Sequence, residues 1–262
     1  MNYIQKIDIK KIVFVITLAL ATGIATYWFF ATSTQATAQT IPEYIQSYLQ
    51  TLENGIWEKL AAQGITKEQF EQAYQNQFPH PTRHTDGKCH FDAGISTENR
   101  ALIIAILKEQ QIDPAIITVY AITIPSSAGA GVNELFINET HFNKLPLNQK
   151  RAVLRHEMTH IKFYDDYTFA LFTMLLGTNP NEVLDQHDHI LNVISRFQEI
   201  RADLLSLSSS LDTAHDFADY MEATIKKNLP EHHSHPTDKE RLAWAHTIVD
   251  HLNAQPQGNI YA

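Results

Sequence analysis

Residues 12–30 are apolar almost without a break, residues 43–77 and 190–207 repeat apolar positions at helical spacing, and short β-branched runs lie between them. Lys6, Lys10 and Lys11 precede the first run, and no charged residue follows until Glu43. About 20 apolar residues can cross a bilayer, and basic flanks favour a cytoplasmic N-terminal end. The same run also fits a secretory signal peptide, because Ala36-Thr37-Ala38 offers a small-x-small cleavage site. Residues 1–38 are therefore expected to be a signal peptide or an N-terminal membrane anchor. Either reading exports the rest of the chain, which for a bacterial source means the periplasm, free or anchored to the inner membrane.

Residues 39–89 read as linker and helical extension. The Ala-, Thr-, Ser- and Gln-rich stretch 33–42 runs into two short amphipathic helices over 43–77, the second opened by Thr66-Lys67-Glu68-Gln69 after Gly64. Pro79 and Pro81 end this region. In the main domain, 90–254, a helix is expected from Thr97 through Leu107, a strand over Ile116–Ile122, and a short strand over Asn133–Asn138. Pro146 and Asn148 mark the next helix start, and Tyr167–Leu176 is an apolar run too short to cross a membrane. Ile190, Val193, Ile194, Phe197, Ile200 and Leu204 form the apolar stripe of a further long helix. A turn at Asn228-Leu229-Pro230 and a tail over 255–262 complete the chain, which has no internal repeat. The pattern predicts an α+β, mainly helical fold with a small β-sheet.

Composition narrows the functions available. With 262 residues, 44% hydrophobic and 19% charged, the chain can build one domain with a sizeable core plus appendages. A net charge of −9 argues against a nucleic-acid partner, whose affinity rests on cationic neutralisation of phosphates. Cys89 is the single cysteine, so no internal disulfide forms, and metal chemistry here falls to histidine and carboxylate.

Such chemistry is concentrated in Arg155-His156-Glu157-Met158-Thr159-His160, an H-E-x-x-H pattern within a helical run. Residues four apart lie one turn along on the same face, so His156 and His160 can grip one ion. Imidazole nitrogens suit zinc at about 2.0–2.1 Å. Glu157, turned by roughly 100° from His156, is free to act as a general base on a nearby water. Downstream, Glu199 and Asp203 are again four apart on the second long helix. A catalytic zinc needs three protein ligands and an open position, and His156, His160 and Glu199 supply that set for one Zn2+. Asp203 is placed to accept the second ring N–H of a ligand histidine, with His156 the expected partner. His187 or His189 could instead replace Glu199 as third ligand.

A third fragment, His235-Pro236-Thr237-Asp238-Lys239-Glu240-Arg241, follows. The order A-V-L-x-H-E-x-x-H-I, E-x-x-A-D, H-P-x-x-x-E-R resembles the gluzincin metallopeptidases of the CAAX-prenyl-protease and HtpX type over roughly residues 90–250. Two departures stand out: Thr159 occupies a usual glycine position, and Ser126–Gly131 replaces an Asn-Ala-Phe-like segment. The resemblance implies a zincin-like domain in which Leu135, Phe136 and Ile137 form the edge strand that pairs with an extended polypeptide substrate. It also makes His235 a candidate catalytic donor to the oxyanion, and Arg241 a brace for that loop or a partner to a carboxylate near the zinc.

The reading is thus a zinc-dependent endopeptidase for unfolded or misassembled envelope proteins, with Glu157 as base. The alternatives are a zinc-containing client-binding, chaperone-like envelope protein with little turnover, and a structural envelope protein binding no metal. His80, His84, Cys89 and His90 read as an ordinary surface loop rather than a cysteine latch on the zinc, and His232 and His233 as a solvated turn.

Overall fold

The computed structural model of the chain describes residues 43–78, 81–177, 190–208, 210–227 and 236–254. The N-terminal apolar run, the turn at Asn228–Pro230, the tail, and His80, His187, His189, His232, His233 and His235 lie outside the described residues. Among the described residues no helix is long and apolar enough to cross a membrane.

Helix α1 (Glu43–Ala61) turns Ile45, Ile56 and Leu60 inward. Gly64, at φ 81°, makes the turn that follows at no steric cost. Helix α2 (Lys67–Gln77) then begins with a reciprocal cap. The Thr66 hydroxyl accepts from the Gln69 N–H, and the Gln69 side chain accepts from the Thr66 N–H. Helix α3 (Thr97–Glu109) follows the strand β1 (His90–Phe91) and is capped by the Ser96 hydroxyl. The β-branched run after it is shorter as a strand than its sequence suggests. Asp113 caps the Ala115 N–H and Pro114 presets the first turn, so Pro114–Ile116 forms a 3₁₀ turn and β2 occupies only Thr118–Ala121.

Two further strands, β3 (Ala128–Ala130) and β4 (Glu134–Ile137), complete a mixed sheet in the order β1-β2-β4-β3. Strands β1, β2 and β4 are parallel, and β3 is antiparallel to β4, with Ala128 opposite Ile137 and Ala130 opposite Leu135. This corrects the expectation for Leu135, Phe136 and Ile137. They are not an edge strand, because β4 is paired on both sides and the small-residue segment β3 takes the edge. Gly131, directly after β3, permits a close approach: a Cβ there would lie 3.2 Å from the Phe136 ring.

One face of the sheet buries Val119, Leu135 and Ile137 against Ile103 and Leu107 of α3 and against Leu154 and Met158 of α5 (Leu147–Phe163). The short helix α4 (Glu139–Phe142) leads into α5. The remaining helices are α6 (Asp165–Leu176), α7 (Ile190–Leu207), α8 (Leu211–Lys227) and α9 (Asp238–Ala254). A second core joins α1, α7, α8 and α9 around Phe217 and Met221, and a third joins α1, α6 and α7 around Leu60 and Phe172. The molecule is an α+β protein, mainly helical, with a small mixed sheet. Helix α5 lies where these layers meet. Its buried Arg155 reaches Glu109 of α3 at 2.7 Å and Asp216 of α8 at 3.0 Å, which fixes the helix between its neighbours.

Candidate metal centre

Helix α5 buries Leu154, Met158 and Ile161 against the sheet, and the same periodicity turns His156 and His160 the other way, towards α7. Helix α7 answers with Glu199. The Nε2 atoms of His156 and His160 face each other at 3.0 Å. Glu199 Oε2 is 3.1 Å from His156 Nε2, and Oε1 is 3.5 Å from His160 Nε2. A tetrahedral ion with donors at about 2.05 Å needs donor–donor separations of about 3.3 Å. The three observed separations bracket that value, and His156, His160 and Glu199 form a group that could hold a metal ion.

The other ring nitrogens are equally constrained. His156 Nδ1 lies 2.8 Å from Asp203 Oδ1, and His160 Nδ1 lies 2.8 Å from Asp165 Oδ2. With both Nδ1 atoms facing carboxylates, each imidazole donates there and turns Nε2 inward as the available electron pair. Asp203 is fully buried, and Arg241 of α9 donates to both its oxygens, from Nε and Nη2, each at 2.7 Å. Of the two roles weighed for Arg241, the side chain takes the carboxylate partnership.

Electrostatics follow from this crowding of anions. Burial alone would pull the His156 imidazole down, but hydrogen bonds and charge from Asp203 and Glu199 carry it up to about 9. His160, opposed by burial in the same way, is raised well above the ordinary value by Asp165 and Glu199. Burial pushes the Asp203 carboxyl up, yet Arg241 and His156 outweigh it and hold the group below the usual carboxylate range. The site is built to hold positive charge. Tyr220 of α8 feels the same groups: burial raises its phenol, Arg241 opposes, and Glu157 and Asp203 add to the rise.

Glu157 borders an open cleft of about 430 Å³ together with His156, His160, Glu199 and the edge residues Ala128 and Ala130. Besides the two imidazoles, Asp165 and Asp166 join Glu157 and Glu199 as ionisable groups in its lining. A second cleft, of about 460 Å³, lies between α2 and the end of α6 and offers the side-chain amides of Gln63, Gln69, Gln72, Asn76 and Gln77 but no ionisable group.

The sequence-derived candidates divide accordingly. His156, Glu157, His160, Glu199, Asp203 and Arg241 come together around one point, Leu135–Ile137 belongs to the sheet interior, and His235 lies outside the described residues. Cys89 joins the sheet core, where burial pushes its thiol up to about 12, while His84 and His90 stack at 3.6 Å beside it. Sequence reasoning did not single out Asp165, Gln198, Arg201 or Tyr220. No protein-family model matches the chain, and neither the curated proteins nor the solved structures include a significant match.

Proposed function

We propose that this protein is a zinc-dependent endopeptidase with a zincin-like catalytic domain, related to the gluzincin type that its three motifs resemble. The observation that carries the proposal is the convergence of two imidazole nitrogens and one carboxylate on a single point beside a cleft that is also lined by Glu157. His156, His160 and Glu199 would hold the zinc. When bound, zinc supplies a Lewis acid that polarises a scissile carbonyl and lowers the pKa of a water towards neutrality.

The remaining work belongs to the chain's own groups. Glu157 takes a proton from the attacking water and hands it to the departing amine, a transfer worth typically 10²–10⁴ in rate. Asp203, gripped by Arg241, fixes the tautomer and direction of His156. Among the described residues strand β3 pairs with a strand on one side only, and its Ala128 and Ala130 line the cleft, so an extended peptide would add there through main-chain hydrogen bonds. Recognition of that kind favours unfolded segments over a defined side-chain sequence. The N-terminal apolar run supports export, which makes misassembled envelope proteins the substrate class.

Replacing Glu157 tests the reading. Glu157→Gln should bind zinc as the wild type does while cleavage of a denatured protein substrate is abolished, because only proton transfer is removed. Undiminished cleavage by that variant overturns the mechanism. A wild-type protein that binds zinc and denatured clients without cutting them overturns it in favour of a client-holding role.

A further inference from the structure

His160 finds its carboxylate by a route that helical spacing does not provide. Helix α5 ends at Phe163, Tyr164 adopts φ 53° and ψ 42°, and the chain re-enters a helix at Asp165. The left-handed region is one that L side chains other than Asn and Asp rarely adopt, and such outliers concentrate where function requires a fixed geometry. The turn returns Asp165, five residues beyond His160, to within 2.8 Å of the His160 Nδ1.

Every other acceptor of Asp165 is engaged. Oδ1 accepts from Arg201 Nη2, and the main-chain carbonyl accepts from Gln198 Nε2 at 2.9 Å. Gln198 is itself buried and also donates to Thr168 Oγ1 at 2.9 Å, which pins the first turn of α6 to α7. The Arg201 guanidinium lies 4.3 Å over the Phe163 ring and 5.3 Å from that of Phe197, so both members of the pair are largely shielded from water. A carboxylate held by a guanidinium on one oxygen offers the other in a single direction. That direction is the His160 ring.

We infer that Asp165 and Arg201, set by the left-handed turn at Tyr164, are positioning residues that orient His160 as a metal ligand. The arrangement repeats, on the second imidazole, the carboxylate–guanidinium support that Asp203 and Arg241 give to His156. Accepting the Nδ1–H fixes the tautomer, keeps Nε2 directed at Glu199 and raises its basicity towards a cation. The inference rests on the metal-centre reading of His156, His160 and Glu199.

The test uses the full chain, with Zn2+ and Co2+ as probes. Asp165→Ala should weaken Zn2+ binding about 10–100-fold in competition with a chelator, and should alter the visible spectrum of the Co2+-loaded protein. Asp165→Asn, which keeps an acceptor and loses the charge, should fall between wild type and Asp165→Ala. If Asp165→Ala misfolds because Arg201 is left with a buried charge, the neutral pair Asp165→Asn with Arg201→Met removes both charges at once. That double variant should melt near the wild type without metal and still bind Zn2+ more weakly. Wild-type affinity and an unchanged Co2+ spectrum in the Asp165 variants, with binding lost in His156→Ala, overturn the inference alone. A wild-type chain that takes up neither ion overturns the metal-centre reading, and the inference with it.

Discussion

The two imidazoles of the site rest on supports built in different ways. His156 leans on Asp203, whose two oxygens are both clasped by Arg241, so three separate helices, α5, α7 and α9, meet in one buried chain of charges. His160 leans on Asp165, its near neighbour in sequence, and Arg201 reaches only one of that carboxylate's oxygens. The first support is tertiary: it closes α9 onto the histidine pair of α5. The second is local and depends on a left-handed residue between two helices. The difference shows how one task, holding an Nδ1–H, can be tied to global stability on one side and to backbone conformation on the other.

Removing each guanidinium should break the symmetry most visibly. Arg241→Ala removes the guanidinium from both oxygens of the fully buried Asp203 and leaves it His156 alone, and breaking a buried pair in this way costs about 3–5 kcal/mol, to be read from denaturant unfolding of the metal-free chain. Arg201→Ala should cost less, because Asp165 loses one contact and keeps its bonds to His160 and Gln198. Equal losses would show that the two supports do not differ in kind.

Titration sharpens the comparison from the side of His156. Its folded value, about 9, stands above the ordinary 6.5. The proton is therefore bound more tightly in the folded state, and the stability it contributes is complete below pH 6.5 and lost as pH rises through about 9. The metal-free protein should melt at falling temperature across that window. Zinc requires the neutral imidazole, so the stabilisation gained on adding zinc should widen over the same range. A melting temperature independent of pH there would mean that Asp203 and Glu199 do not hold His156 protonated.

The smallest effect isolates the turn. Tyr164→Gly and Tyr164→Val both lose the edge-to-face contact with Phe78 at 4.8 Å, but only glycine accepts φ 53° without cost. The valine variant should be less stable than the glycine variant by about 1–2 kcal/mol in thermal or denaturant unfolding. A difference near zero would indicate that the turn relaxes out of the left-handed region once the ring is gone.

These contrasts also explain what could be read before the fold was known. His156 with His160, and Glu199 with Asp203, are legible because a helix converts a four-residue spacing into proximity. The stripe of α7 and the β-branched run of β2 are legible for the same kind of reason. Strand β3 is not: Ala128-Gly129-Ala130 carries no strand preference, and its place comes from pairing with β4 and from the absence of side-chain bulk. The family resemblance puts the edge at Leu135–Ile137, but whether a strand is edge or interior depends on its partners, and β4 has one on each side. Asp165 stayed hidden because tyrosine gives no signal for a left-handed turn, and without that turn Asp165 has no reason to face His160. Arg201 follows from Asp165 and was hidden with it.

In the proposed centre His156, His160 and Glu199 hold one zinc ion. Zinc content per chain, measured after purification and exhaustive dialysis, tests it most directly when wild type is compared with His156→Ala, His160→Ala and Glu199→Ala. One zinc per wild-type chain is expected, with its loss or severe weakening in each variant. A Glu199→Ala chain that keeps its zinc, with His187→Ala losing it, would contradict the assignment.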